Sequence, residues 1–231
     1  WQLAGVTILD PDTTWIDVTV QLSNDVVLYP GTYLRGLTKV DSGAEIGPEV
    51  VLEDTWVAEN AKIIKSQAHA AKIGANATVG PFAYLRPGTD LGADGKIGTF
   101  VETKNAVIGS GSKVPHLSYV GDAEIGEGSN IGAGTIFANY DGITKSRSII
   151  GSQVRTGSNN VFVAPVSVGD GAYTAAGTVV RRNVEPGALA VNVSPQKNVA
   201  DWVLTKRQGT KSAEAAQSAK NSTEDSSETE N

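Results

Sequence analysis

The sequence predicts an all-β fold: a parallel β-helix of hexapeptide repeats, followed by a short C-terminal helix and a disordered tail. Three observations predict it. An apolar residue returns at every sixth position over long stretches, and a glycine often follows it. The 26 glycines are spread along the 231 residues instead of gathering in a linker. Neither the 3.6-residue period of a helix nor the two-residue alternation of a simple strand accounts for a sustained period of six.

From Ile16 every sixth residue reads Ile16, Leu22, Leu28, Leu34, Val40, Ile46, Leu52, Ala58 and Ile64. All are apolar in a chain that is 40% hydrophobic, which chance does not supply over nine positions. Further registers run through Ile73, Val79, Leu85, Leu91 and Ile97, then Ile108, Val114 and Val120, then Ile125, Ile131 and Phe137. The last holds Ile150, Thr156, Phe162, Val168, Thr174 and Val180. Pairs such as Ile46-Gly47, Ile97-Gly98 and Ile131-Gly132 place a small residue after the aliphatic one. A triangular coil explains this: about six residues form each side, the aliphatic side chain points inward, and small residues turn the corner. Coils then stack at about 4.8 Å, and the inward residues form ladders down the axis. Such a prism is filled, so a ligand binds outside it or between prisms.

The register breaks between Ile97 and Ile108, between Val120 and Ile125, and between Phe137 and Ile150. At the last break about seven extra residues must leave the coil, as Ala138-Asn139-Tyr140-Asp141-Gly142-Ile143-Thr144-Lys145. Asp-Gly marks a turn, and loops thrown from a rigid scaffold often carry function; the alternative is a tolerated insertion. The period stops after Val180. Residues 1–190 are read as the β-helix, 191–207 as a capping segment with a helix between Pro195 and Lys206 that carries Trp202, and 208–231 as a disordered tail of Ser, Glu, Ala, Lys and Thr.

Composition excludes several function classes. There is no Cys, hence no disulfide framework or thiolate metal site. A net charge of −6 argues against nucleic acid as a partner. No apolar run approaches the roughly 18 residues of a membrane span. The chain opens at Trp1, inside what reads as a domain, so a piece of a longer protein is expected.

The two histidines differ. His69 lies between Ala68 and Ala70 and reads as structural or surface. His116 follows the ladder residue Val114 by two, which takes it off the inward ladder position. A neutral imidazole there suits taking a proton from an amine. Arg86, Lys104 and Lys145 stand near register breaks in a mostly neutral body. Each alone reads as a solvated charge; together they can clamp a phosphate. Gly109-Ser110-Gly111-Ser112-Lys113 lacks the spacing of a phosphate loop, and Gly132-Ala133-Gly134 is too short for a dinucleotide fingerprint. Two histidines cannot make a three-histidine zinc site.

Longer motifs bring a resemblance. LRPG at 85–88, FVETKNA at 100–106, HLSYVGDAEIG at 116–126, NIGAGT at 130–135, NYDG at 139–142, IIGS at 149–152 and VAPVSVGDGA at 163–172 follow one another in order. In these the chain resembles the C-terminal acetyltransferase domain of the bifunctional bacterial family N-acetylglucosamine-1-phosphate uridyltransferase/glucosamine-1-phosphate acetyltransferase. The resemblance implies a left-handed β-helix, an exception to the usual crossover hand. It also implies a cytoplasmic homotrimer with active sites at subunit interfaces, acting in UDP-N-acetylglucosamine and peptidoglycan synthesis. Acetyl-CoA would be the co-substrate and glucosamine 1-phosphate the acceptor, with no metal in the acetyl step. Magnesium and uridyl transfer would belong to the family's N-terminal domain, which this sequence lacks.

By the same resemblance His116 is the general base, with Glu102 as a helper. Arg86, Lys104, Tyr119, Asn130 and Lys145 bind the sugar phosphate. Asn139 and Tyr140 stand where sugar and acetyl group meet, and Ala133, Ser158 and Ala176 follow the acetyl-CoA thioester and pantetheine arm. One position departs: Val193 stands where the family commonly has a CoA-contacting arginine, leaving Lys197, Lys206 or Trp202 as substitutes. Two alternatives are a β-helix acyltransferase with another acceptor, which the NYDG and HLSY segments disfavour, and a non-catalytic trimer scaffold, which the retained His116 and cations disfavour.

Overall fold

The computed structural model describes residues 1–192 and 196–228, with side chains through 221. The chain divides into two units, Trp1–Asn192 and Val193–Asn231. The first is a left-handed parallel β-helix.

Its strands are short, mostly two or three residues, and every pairing between them is parallel. Val27 pairs with Glu45, Glu45 with Lys62 and Lys62 with Thr78, so successive coils take 18, 17 and 16 residues. One face runs from Thr7–Ile8 to Lys113–His116 as a 7-stranded sheet; single bridges Lys113 to Asn130 and Asn130 to Arg155 carry it on into a 3-stranded sheet ending at Leu189–Ala190. The other two faces join into one 17-stranded sheet, because Glu102–Ile108 and Tyr119–Ile125 run round the corner between them as unbroken seven-residue strands. Each turns that corner on one residue in the left-handed region, Asn105 at φ 46° and Asp122 at φ 47°. Asn and Asp tolerate that conformation better than other residues with a side chain.

The inward ladder is dry. Leu28, Leu34, Ile46, Leu52, Leu85, Leu91 and Ile97 have no exposed surface, and neither do Phe137 and Phe162, whose rings pack at 5.1 Å. The expected ladder needs one correction. Ala58 and Ile64 do not occupy rungs: Val57, Ile63 and Ala68 are the buried residues, and Ile64 is exposed. Sides from Leu52 to Val57, Ile63 to Ala68 and Ala68 to Ile73 have five-residue steps, so the register slips there and recovers at Ile73. The break after Ile97 contains a polar rung: Thr103 is fully buried, and its hydroxyl shares a 2.9 Å hydrogen bond with that of Thr89. A hydroxyl inside the prism is tolerable because it has this partner.

The extra residues after Phe137 leave the prism as expected. Tyr140 and Lys145 form an antiparallel bridge at the loop's base, and Ser146 N–H donates to the Asn139 carbonyl at 2.8 Å. Asp141 turns the tip, accepting from Ile143 N–H at 2.8 Å and Thr144 N–H at 2.7 Å. These two donors hold its carboxyl below the ordinary aspartate range.

In the second unit the helix α1 spans Trp202–Lys206, shorter than the expected Pro195–Lys206. Val193, and with it the departure from the family's arginine, lies outside the described residues, as do Ser194 and Pro195. Arg207 packs 5.0 Å over the Trp202 ring. A second helix, α2, covers Lys211–Glu228, where composition predicted no order. Ala213, Ala215, Ala216 and Ala219 supply strong helix formers to its first half, and a residue count weighted toward polarity hides this. Lys220 pairs with Asp201, tying α2 to the start of α1. No helix among the described residues is long and apolar enough to cross a membrane.

Candidate active site

Stacking converts sequence spacing into columns, and two columns gather most of the singled-out residues. The first follows the edge that each coil turns just after His116. There Phe82, Phe100 and Leu117 occupy successive coils with φ of 59°, 57° and 51° and exposures of 54%, 59% and 60%. Phe82 and Phe100 stack at 5.5 Å. Large side chains held both at positive φ and in solvent are costly, and strain of this kind often accompanies a functional site. His116 is exposed beside Leu117, and its strand pairs Thr99 with His116. The His116 carbonyl accepts from Ser118 Oγ at 2.7 Å and from Gly134 N–H at 3.2 Å, which fixes the backbone that carries the ring.

Further along the same edge, side chains nearly vanish. Gly132-Ala133-Gly134, Gly157-Ser158 and Ala175-Ala176-Gly177 follow in successive coils, with Asn159 N–H on the Ala133 carbonyl at 2.7 Å and Gly177 N–H on the Ser158 carbonyl at 2.8 Å. A Cβ at Gly132 would stand 2.3 Å from the Gly157 carbonyl oxygen, and one at Gly157 2.4 Å from the Ala176 amide. The result is a backbone-lined track leading away from His116.

Gly98 protects the His116 strand in the same way, since an added Cβ would lie 2.0 Å from the Pro115 carbonyl oxygen. Gly98→Ala is expected to destabilise the protein by about 1–3 kcal/mol through overpacking. A urea titration checks this, and an unchanged midpoint would show that the strand can shift.

The second group crosses the next face, from Glu102 and Tyr119, two residues past the first edge, to Lys104 and Gly121 at the opposite one. Arg86 donates to Glu102 at 2.7 Å, a half-exposed ion pair that raises the guanidinium's pKa. Glu102 pairs in register with Tyr119, and the Tyr119 ring covers Gly121, where a Cβ would meet the phenol oxygen at 2.4 Å. Lys104 stands level with Gly121, and Lys145 returns from the extruded loop to lie beside it. Contact with the Lys145 ammonium, then its charge, holds Lys104 below the ordinary lysine value.

Asp122 lies near enough to this pair for both charges to act on its carboxyl. It accepts from Asn105 Nδ2 at 2.7 Å and from Asn139 Nδ2. Burial would raise its pKa, but those two hydrogen bonds, and then the charges of Lys145 and Lys104, outweigh burial and hold it low. Asn139 is 8% exposed and forms the root of the loop, while Tyr140 is exposed and donates to the Gly142 carbonyl at 2.5 Å.

The structure therefore brings together Arg86, Glu102, Lys104, Tyr119, Asn139 and Lys145, and separately aligns His116, Ala133, Ser158 and Ala176. It does not bring the two groups together within one chain. His116 and Gly121 are separated by five residues crossing a face, up to about 16 Å of extended backbone. Asn130 lies on the face of His116, bridging Lys113 at the start of the His116 strand and Arg155 in the coil after. Asp122 and Asn105 were not singled out in the sequence. A signal was present: 105, 122 and 139 are spaced by 17 residues, one coil each. Among the described residues one trio could offer ligands to a metal, Glu53, Asp54 and His69, with ligand atoms within 4.8 Å. Its His69 stands three coils before Tyr119 and its two acids four.

Fold and site together define a hexapeptide-repeat β-helix whose chemistry sits on its outer faces. Among solved structures the fold is similar to Francisella novicida UDP-N-acetylglucosamine acyltransferase, with a TM-score of 0.52 at 15% identity over 89% of this chain and 75% of that one. No family model matches the sequence. The chain is 62% identical over 216 residues to the bifunctional protein GlmU of Mycolicibacterium gilvum, covering 94% of this chain and 43% of that protein. It is 61% identical over 219 residues to GlmU of Kineococcus radiotolerans, covering 95% and 45%. Over its own length the chain resembles the C-terminal part of the GlmU proteins, and it spans less than half the length of these curated relatives.

Proposed function

We propose that this chain transfers the acetyl group of acetyl-CoA to the 2-amine of glucosamine 1-phosphate. His116 takes a proton from the ammonium, since only the free amine has a lone pair. The amine nitrogen bonds to the thioester carbon, the carbon–sulfur bond breaks, and CoA leaves as the thiolate, which takes up a proton. Backbone N–H groups along the Ala133–Ser158–Ala176 track offer donors to the oxyanion and the pantetheine arm. Arg86, Lys104 and Lys145 hold the phosphate, Tyr119 and Asn130 the sugar, and Asn139 and Tyr140 the acetyl end. Glu102, paired with Arg86, orients the phosphate clamp and assists at the amine. No step in this scheme uses a metal, and uridyl transfer with its magnesium is not assigned to this chain.

One observation carries the reading. An edge with an exposed imidazole opens onto a backbone-lined track, while a cation cluster occupies the far edge of the same face. The phosphate and the amine of the acceptor sit on adjacent carbons of one ring, so they cannot reach both edges of one chain. Pairing the imidazole edge of one chain with the cation edge of another brings the groups together, and the exposed Phe82, Phe100 and Leu117 give that seam an apolar lining. This supports reaction centres between subunits, and the assembly proposed is a cytoplasmic homotrimer.

The test is direct: acetyl-CoA and glucosamine 1-phosphate should yield free thiol and N-acetylglucosamine 1-phosphate. Thiol release with other amino sugars but not with glucosamine 1-phosphate would reassign the acceptor, and no release with any would leave a scaffold. Sedimentation should report three chains per particle, and a monomer of full activity would remove the seam from the mechanism.

A further inference from the structure

We infer that Asp122 is a positioning residue for the phosphate clamp: its carboxylate fixes the root of the loop that carries Lys145 and, by its charge, favours Lys104 and Lys145 as a pair facing one anion. The inference rests on the proposed acceptor and extends it to a residue with no assigned role.

Two ammonium groups in contact repel, and left alone they would splay apart or lose a proton. An acid beside both removes that tendency. Asp122 stands where it can do so, because it turns the corner one residue after Gly121, the in-register neighbour of Lys104. Its orientation is fixed from two sides, by Asn105 in the coil before and Asn139 in the coil after. Asn139 is also the root of the loop that delivers Lys145, so one carboxylate sets both the lysine on the prism and the loop that brings its partner.

The charges around the cluster agree with an anionic guest. Arg86, Lys104 and Lys145 face Glu102 and Asp122, which leaves one net positive charge for a phosphate monoester to meet. Arg147 and Glu124 pair with each other at 3.7 Å, and Arg147 also donates to the Asn105 carbonyl at 3.2 Å. Without Asp122 the cluster keeps its cations but loses their spacing.

Asp122→Asn tests this, because asparagine accepts the positive φ and nearly the same volume. In the full chain the KM for glucosamine 1-phosphate is expected to rise about ten- to a hundredfold, the scale of one charge-assisted contact, with the KM for acetyl-CoA unchanged. The alkaline limb of the sugar-phosphate KM should also move to lower pH, since the Asp122 charge favours the protonated form of Lys104 and its removal lets that lysine give up a proton more readily. Calorimetric titration of glucosamine 1-phosphate without acetyl-CoA should show the same loss of affinity. An unchanged KM and pH profile overturns the inference, and so does an equal rise in both KM values with a lowered melting temperature, which is the mark of a structural role. If the unaltered chain binds glucosamine 1-phosphate without turnover, the proposed reaction fails while the binding comparison still decides the role of Asp122. If it does not bind the sugar phosphate at all, both fall.

Discussion

Replacing His116 by alanine is expected to lower turnover about 10²–10⁴-fold, the range for loss of a general base. The fold should be unaffected. The ring is exposed, and the hydrogen bonds that fix its strand are made by its carbonyl, which alanine keeps. Steady-state thiol release, with thermal melting and sedimentation on the same samples, separates chemistry from assembly. Both KM values should stay within a small factor, because the phosphate and CoA contacts lie on other residues. Turnover within tenfold of the unaltered chain would take the base role from His116 and leave positioning of the two substrates as the main source of rate.

The largest effect on stability is expected at Phe162. Its ring is fully buried, packs 5.1 Å from Phe137 in the coil before, and its strand pairs onward with Val180. Phe162→Ala should cost about 3–5 kcal/mol, the usual range for a buried aromatic cut back to a methyl. In a stacked repeat the damage should be felt first by the coils on either side. Hydrogen exchange should therefore quicken around Phe137 and Val180 before it does at Leu34 or Leu52. A loss below about 1 kcal/mol would mean that neighbouring rungs close the gap.

Most of the fold was legible because a period of six leaves a trace in residue type alone. Ile73 through Ile97, and Ile150 through Val180, fall on buried rungs as the sequence implies. What periodicity hides is the local change of step. Between Leu52 and Ile73 three of the four sides shorten to five residues, and Ile64, apolar and at the expected interval, points outward. Thr103 hides for a different reason, because hydropathy ranks it polar while a hydroxyl partner on Thr89 lets it serve as a rung.

The candidate site was legible residue by residue but not in its division. His116, Arg86, Lys104 and Lys145 stand out by type, yet their arrangement at two edges of one face follows only from the pairing register. Asp122 gave no sign within its own neighbourhood. Its meaning comes from residues one coil away on each side, a relation that shows only once the coil length is known.

Each coil stacks only on the coils directly above and below, so the three five-residue sides between Leu52 and Ile73 are absorbed at their corners and the stack recovers by Ile73. Splicing in one whole coil would therefore push the two ends of the prism about 4.8 Å further apart and leave every edge aligned. Removing part of a coil inside the Gly98–Ala176 stretch would instead turn one margin of the reaction centre away from the other. Lineages are thus free to vary the reach of the shaft near its beginning, and far less free where the columns must match.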